Sequence, residues 1–217
     1  MRRLLLTALV WAALCASATA QAPCLGIGGV NTVPVVGISC IQDSIIPTYS
    51  ATSIGLAPGT APTDIACLTG SATRTVRVKQ VRVSGTAGTA INIVAVLTKH
   101  ATADTLGTPA TSTALPVPYS NDSGFPAATA TTTAYTANPT INDAAPGLIS
   151  AQTVFLPATA TAGAALPTIF YWDNGGPAMS PPVLRGVAQQ LCVNLNGVTA
   201  PSSGLMTIAF QWTEQTQ

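Results

Sequence analysis

The sequence has 217 residues, of which 47% are hydrophobic and only 7% are charged, and its formal net charge is +1. A near-neutral chain without a basic patch excludes electrostatic recognition of nucleic acid. The polar surface must come from Thr, Ser, Asn and Gln, which suits packing against other subunits because such side chains cost little to desolvate. The alternative is an ordinary secreted protein from a proteome of low charge.

The N-terminus has the three-part pattern of a secretory signal peptide. Met1-Arg2-Arg3 is positively charged, residues 4–18 carry no charge, and Ala18-Thr19-Ala20 offers small residues to signal peptidase. The apolar run is about 15 residues, shorter than the roughly 20 that a spanning helix needs. We therefore expect cleavage after Ala20, with Ala22 as the alternative, and no membrane association after cleavage. The mature protein is predicted to be exported to the periplasm, the medium or the cell surface, and a virion is the alternative location.

Four cysteines remain in the mature chain: Cys24, Cys40, Cys67 and Cys192. An even number in an exported chain predicts two disulfides, and three pairings are possible. We favour Cys24–Cys40, which would fix an N-terminal arm, and Cys67–Cys192, which would join an early strand to a late one. The spacings lack the paired CxxC pattern of zinc sites, so the sequence predicts neither a metal nor a cofactor.

Residues 21–47 have a poor hydrophobic period, and we interpret them as an N-terminal arm. Residues 48–217 form one predicted β-domain in which glycine and proline separate short β-patterns. Strands are predicted over residues 63–69, 73–84, 90–99, 131–135, 148–156, 168–172, 183–184, 187–195 and 205–213. The long Thr/Ala/Pro-rich stretch at 101–146 is expected to contain one or two short strands.

The segment Thr73–Ser84 changes phase near its middle. Val76 and Val78 share one face, whereas after Gln80 the apolar positions are Val81 and Val83. One extra residue near Lys79-Gln80 would restore a single apolar face, which predicts a β-bulge there. A break into two short strands is the alternative.

Two later segments indicate which faces are buried. Residues 90–99 are apolar on both faces, which predicts a strand covered on both sides, with Ile91, Ile93 and Leu97 on one of them. In residues 187–195 the inward positions are Leu191, Val193 and Leu195, so Cys192 points to the opposite face. The last segment, 205–213, alternates apolar and polar residues regularly, which predicts a half-buried antiparallel strand. Together these patterns predict an all-β, antiparallel two-sheet sandwich, jelly-roll-like in topology.

Residues for catalysis are sparse. His100 is the only histidine, and we expect it at a solvent-facing strand end, because it directly follows a strand. The acidic residues are scattered singly in turns and at strand ends: Asp43, Asp64, Asp104, Asp122, Asp143, Asp173 and Glu214. No nucleophile–base pair or carboxylate pair is evident, so we predict a protein without catalytic residues.

Two groups of residues are candidates for a contact surface. Arg74, Arg77, Lys79 and Arg82 lie on one predicted strand. They form either its solvated face or a contact stripe for an acidic neighbour. Tyr171 and Trp172 precede the turn at Asp173–Pro177. They are either core and rim aromatics or a stacking platform for a surface glycan.

Short motifs resemble a family of phage and prophage virion proteins over about three quarters of the chain. They are Tyr49-Ser50-Ala51, Gly55-Leu56-Ala57-Pro58, Thr63-Asp64-Ile65, Leu68-Thr69-Gly70-Ser71-Ala72-Thr73, Val83-Ser84-Gly85-Thr86, Tyr135-Thr136-Ala137-Asn138-Pro139-Thr140, Leu184-Arg185-Gly186, Val193-Asn194-Leu195-Asn196-Gly197 and Gln211-Trp212-Thr213-Glu214. The resemblance implies a non-enzymatic capsid-decoration or tail component that self-associates or binds another structural protein. The predicted signal peptide distinguishes this chain from such a family. The alternative function is an exported cell-surface or glycan-binding module.

Overall fold

The structure, a computed structural model, describes residues 46–59, 63–159, 170–173, 180–198 and 200–216. The predicted signal peptide, almost all of the predicted arm, and Cys24 and Cys40 lie outside these residues. In the described part the regular secondary structure is almost all β-strand, with a short 3-10 helix at Ser112–Ala114. None of the described helices has the length and apolar character needed to cross a membrane.

Twelve strands form in the described residues. They are β1 (Thr48–Leu56), β2 (Asp64–Thr69), β3 (Arg74–Thr86), β4 (Ile91–His100), β5 (Thr108–Pro109), β6 (Tyr119–Ser120), β7 (Thr131–Ala137), β8 (Gly147–Leu156), β9 (Phe170–Asp173), β10 (Val183–Arg185), β11 (Gln190–Asn194) and β12 (Leu205–Thr216). The stretch 101–146 therefore holds three short strands rather than one or two. The strand predicted over 187–195 is shorter, because the chain turns at Gly186 with a φ of +78° before β11 begins.

The strands make two antiparallel sheets. Sheet 1 has the order β10-β3-β12-β1-β6, and β9 also pairs with β3, on the side where β10 lies. Sheet 2 has the order β5-β7-β2-β11-β4-β8. Strands β1 to β4 alternate between sheet 1 and sheet 2, and β8 lies beside β4 in sheet 2. The chain then returns to sheet 1 with β9 and β10, crosses to sheet 2 with β11 and ends in sheet 1 with β12. This is the connectivity of a jelly roll, so the predicted two-sheet sandwich is confirmed.

The core lies between the inner faces of the two sheets. Sheet 1 contributes Phe210 and Trp212 of β12, and the Trp212 ring stacks on Tyr49 of β1 with 5.9 Å between centroids. Sheet 2 contributes Leu97 of β4 and Leu191 of β11. The predicted alternation of the last strand is confirmed, because Met206, Ile208, Phe210 and Trp212 are buried, whereas Thr207 and Gln211 are partly exposed.

A β-bulge in β3 occurs where the phase change predicted it. Gln211 of β12 lies opposite Gln80, whereas the next residue, Trp212, lies opposite Val78. Lys79 is therefore the extra residue. The bulge allows Val78 and Val81 to face the same core, which the two-residue period of an unbroken strand would forbid.

Candidate functional site

The outer face of sheet 2 carries a second buried cluster, on the side away from the sandwich core. Cys67, Cys192 and Tyr135 form a separate buried group there, and the side chains of His100 and Asp64 are fully buried. With Asp104 from the loop after β4, Asp64 and His100 form a group that we call the polar cluster. The prediction that Cys192 faces away from the core is thereby confirmed.

The disulfide Cys67–Cys192 joins directly opposite residues of β2 and β11, 125 residues apart in sequence. The predicted pairing of these two cysteines is confirmed. Such a bond fits an oxidising, exported location, because cytosolic thiols are kept reduced. The other predicted pair, Cys24–Cys40, lies outside the described residues.

A bulge in β2 brings Asp64 onto the face that carries the disulfide. Val193 of β11 lies opposite Ala66, and Asn194 lies opposite Asp64, so Ile65 is the extra residue. Without this bulge, alternation from Cys67 would place residue 65 on the outer face and Asp64 on the core side. With it, Ile65 packs in the sandwich core while the Asp64 carboxylate faces the polar cluster.

The imidazole of His100 lies between two carboxylates. Its Nε2 is 3.1 Å from Oδ2 of Asp64, and its Nδ1 is 3.8 Å from Oδ1 of Asp104. The hydroxyl of Thr98 also lies 3.1 Å from Nε2. The second oxygen of Asp64 accepts a hydrogen bond from Nδ2 of Asn194 at 3.0 Å. Strands β2, β4 and β11 are thus joined by side chains as well as by their backbone ladder.

The loop after β4 closes over the cluster. The backbone N–H of Asp104 donates to Oε1 of Gln190 at 2.8 Å, and Nε2 of Gln190 donates to Thr69 Oγ1 at 2.9 Å. Further along, Asn142 donates from Nδ2 to the carbonyl of Ala103 at 2.9 Å. These bonds hold the loop on sheet 2, where the side chains of Asp64, His100 and Asp104 are fully buried.

Burial and charge shift the acidity of the cluster. Burial first, and then the nearby charge of Asp64 and a hydrogen bond to it, raise the pKa of Asp104 to about 7. Burial lowers the pKa of His100, but the hydrogen bond and charge of Asp64, with the charge of Asp104, offset it, and the net pKa is raised. Burial together with these carboxylates raises the pKa of Tyr135 to about 12. Burial and neighbouring charge therefore favour the protonated forms of Asp104 and His100 relative to the same groups in water.

Two predictions about these residues were wrong. His100 is not at a solvent-facing strand end, because it is the last residue of β4 and is fully buried under the following loop. Asp64 and Asp104 are not isolated, because the sheet register and the loop bring them to the same histidine. The side chains of all three residues are fully buried.

The sequence patterns also did not predict that a second acidic residue is buried and connects neighbouring segments. Glu214 on β12 is fully buried, and its carboxylate accepts hydrogen bonds from the backbone N–H groups of Thr129 and Ala130 and from the Thr129 hydroxyl. It also accepts one from Trp212 Nε1 at 3.0 Å. One feature of the sequence could have indicated this burial. Glu214 follows Trp212 by two residues and therefore continues the inward-facing positions of the last strand.

The four basic residues of β3 do not form one continuous stripe. Arg82 is exposed, whereas Arg74, Arg77 and Lys79 are half-buried. Lys79 is the bulged residue, so it interrupts the alternation between Arg77 and Arg82. Arg77 donates from Nε to Oε1 of Gln215 at 3.0 Å. A contact surface for an acidic partner stays a prediction, with Arg82 as its most accessible member.

The aromatic platform is wrong in one of its two residues. Trp172 is 5% exposed and belongs to the sandwich core, opposite Val81 of β3, so its indole offers no face to a sugar. Tyr171 lies on β9 opposite Arg82. Its side chain is outside the described residues.

The edge of sheet 2 presents an uncharged, largely exposed strand. Among the residues that the structure describes, β8 is paired with β4 alone, and its ten residues include no charge and no proline. Leu148 is 64% exposed, Ile149 43% and Phe155 37%. Val154 and Leu156 are buried and anchor the strand to the core.

Comparison of the chain with protein-family models, with curated proteins and with solved structures gave no match.

Proposed function

We propose that this protein is a non-enzymatic structural β-sandwich that self-associates through the edge strand β8. The observation that carries the proposal is the exposed apolar and uncharged character of Gly147–Leu156. An edge strand offers a row of backbone donors and acceptors to any strand that lies beside it. Proteins that stay monomeric usually protect such an edge with charge, proline or a short strand.

The occupant that fits this edge is β8 of a second copy. Because β8 carries no charge, two copies meet without electrostatic repulsion. An antiparallel arrangement about a two-fold axis near Gln152 uses the same ten residues twice, as a closed symmetric dimer requires. The exposed side chains of Leu148 and Phe155 then lose water on association, which supplies the apolar contribution.

Hydrogen exchange tests where the contact forms. With increasing protein concentration we expect slower exchange of backbone amides in 147–156, and unchanged exchange in Thr131–Ala137, a strand of the same sheet that is not at this edge. Concentration-independent exchange in β8 would count against the proposal.

A place in a larger particle is the wider form of the proposal. The jelly-roll connectivity supports it, since this fold is common in capsid proteins, and so does the resemblance to virion proteins. The Cys67–Cys192 disulfide supports an exported form of such a component. Mass spectrometry of the protein from its native host tests the export step: an N-terminus at Gln21 is expected, and retention of Met1 would contradict it.

The alternative is an exported glycan-binding module. Jelly rolls also occur in lectins, which supports this alternative at the level of fold. The burial of Trp172 removes one of the two aromatic residues on which it depended. A glycan array with the mature protein tests it, and saturable binding that Tyr171→Ala abolishes would favour it over self-assembly.

A further inference from the structure

We propose that Cys67, Cys192, Asp64 and Asp104 form a zinc site when the disulfide is reduced. One ligand atom from each of these residues lies within 4.8 Å of all the others. Asp104 Oδ2 is 3.8 Å from Cys67 Sγ. This site is independent of the β8 edge and goes beyond a structural role.

The separations are close to those of a tetrahedral zinc site. With Zn–S bonds of about 2.3 Å and Zn–O bonds of about 2.0 Å, neighbouring ligand atoms lie roughly 3.3–3.8 Å apart. The two sulfur atoms, bonded at 2.06 Å in the disulfide, must separate, while the carboxylates need only small movements toward them. Asp104 lies on a loop and Asp64 at the bulged end of a strand, so neither lies in the middle of a regular strand ladder.

The ligand types select the metal. Two thiolates favour zinc over calcium and magnesium, which prefer oxygen ligands throughout. Carboxylates are also accepted by zinc at similar distances. In the disulfide the sulfur atoms are not thiolates, so the oxidised protein offers only the two carboxylates.

The surroundings of Asp104 favour a ligand role. Its Oδ1 and the Nδ1 of His100 are buried and lie 3.8 Å apart, and neither has a hydrogen-bond partner among the described residues. Its Oδ2 is the oxygen that faces Cys67 Sγ. Buried polar atoms are normally hydrogen-bonded, so a carboxylate held this weakly beside sulfur is available to bind a cation. His100 and Asn194 contact Asp64 from outside the set and would orient it as neighbours of metal ligands commonly do.

The spacing of the cysteines in the sequence does not indicate this zinc site. Zinc motifs in sequence depend on ligands that are close along the chain. Here Cys67 and Cys192 are brought together by the pairing of β2 with β11, and Asp104 by the loop after β4.

Replacement of the disulfide by zinc requires a reductant that supplies two electrons. A dithiol supplies two electrons and two protons, is itself oxidised to a disulfide, and leaves Cys67 and Cys192 as thiols. Zn²⁺ then displaces one proton from each sulfur and any proton held by the carboxylates, and these protons go to solvent. Thiol–disulfide exchange with the oxidised dithiol reverses the process, because that disulfide accepts the two electrons, and the ion is released.

Refolding of the reduced chain tests the site. The mature protein is unfolded, reduced with a water-soluble phosphine, and refolded without oxidant in the presence or absence of Zn²⁺. The Cys67→Ser/Cys192→Ser variant is treated in the same way, as the reference for any metal held by Cys24 and Cys40. We expect one more zinc ion per chain in the wild type than in the reference. Asp104→Asn is expected to weaken that binding by about 100-fold, whereas Asp122→Asn, at an exposed acid outside the set, leaves it unchanged.

Each outcome decides the proposal. Refolding that requires zinc supports it, as does a thiolate charge-transfer band after Co²⁺ replacement that disappears in the reference variant. Zinc content equal to the reference overturns it, and so does zinc binding that neither Asp64→Asn nor Asp104→Asn affects. Failure of the reduced chain to fold even with zinc also overturns it, because the ion then does not replace the disulfide.

Discussion

The carboxylate of Glu214 accepts a hydrogen bond at 3.0 Å from the indole Nε1 of Trp212, two residues earlier on β12. The same carboxylate receives the N–H and O–H groups of Thr129 and the N–H group of Ala130. One buried acid therefore joins a core tryptophan to the segment that leads into β7. The C-terminal strand is thus fastened to sheet 2 by a side chain, although it belongs to sheet 1.

Removal of this acid should destabilise the fold strongly. Glu214→Ala leaves several buried donors without an acceptor, and we expect a loss of about 3 kcal/mol in the free energy of unfolding. Chemical denaturation at neutral pH measures it. The control is Gln211→Ala on the outer face of the same strand, for which we expect a change within about 0.5 kcal/mol. Equal effects of the two substitutions would contradict the role assigned to Glu214.

Stability at alkaline pH should depend on Tyr49. Burial and the charge of Glu214 raise the pKa of Tyr49 above its ordinary value of 10.0, despite the opposing charge of Arg74. Because the folded state holds the phenolic proton more tightly than the unfolded state, this contribution is complete below pH 10.0 and is lost as the pH rises through the folded pKa.

The Tyr49→Phe variant isolates that contribution. It removes the hydrogen bond from the Tyr49 hydroxyl to the Pro126 carbonyl, so we expect a cost of about 1 kcal/mol at pH 7. Above pH 10 its stability should fall less steeply than that of the wild type. Tyr119, which is 73% exposed, provides the control. If Tyr119→Phe flattened the alkaline profile as much as Tyr49→Phe, the explanation would be wrong.

Asp64 and His100 should be energetically coupled. Each lies buried beside the other at 3.1 Å, so Asp64→Ala and His100→Ala each leave an uncompensated polar group. We expect each to cost about 3–5 kcal/mol, and the double variant to cost less than the sum by about 1–3 kcal/mol. Denaturation of the four proteins of the cycle, with the disulfide intact, gives the coupling. Strict additivity would show that the two side chains do not act together.

The disulfide should contribute substantially to stability in the absence of zinc. It closes a loop with a sequence separation of 125, and the entropy of so long a loop corresponds to about 4–5 kcal/mol. Cys67→Ala/Cys192→Ala should therefore lower the free energy of unfolding by about that amount in a metal-free buffer. A loss below about 1 kcal/mol would mean that the unfolded chain gains little freedom when the bond is absent.

Local patterns predicted the sandwich because one face of each long strand must be apolar. The phase change around Lys79 predicted a bulge, and Gln80 and Val78 lie on either side of it. The alternation around Cys192 likewise predicted that its side chain leaves the core. The dipeptide Asn196-Gly197 is typical of a turn, and both residues adopt a positive φ, of 53° and 75°.

The polar cluster could not be predicted in the same way, because its members meet only through long-range register. Asp64 reaches His100 across β11, and it faces that side only because Ile65 is bulged. The sequence around Ile65 shows no phase change, since β2 is buried on both faces. From the sequence alone, a buried polar residue cannot be distinguished from an exposed one when the loop that covers it is distant along the chain.

The central claim, self-association through β8, is tested most directly by the molar mass of the mature protein measured by light scattering across a concentration series. We expect a dimer that becomes a monomer in Thr153→Lys, because that substitution places like charges on both strands of the interface. Thr111→Lys, at an exposed position before the 3-10 helix, should stay dimeric. A wild-type protein that is monomeric at every concentration, or a Thr153→Lys variant that remains dimeric, would contradict the account.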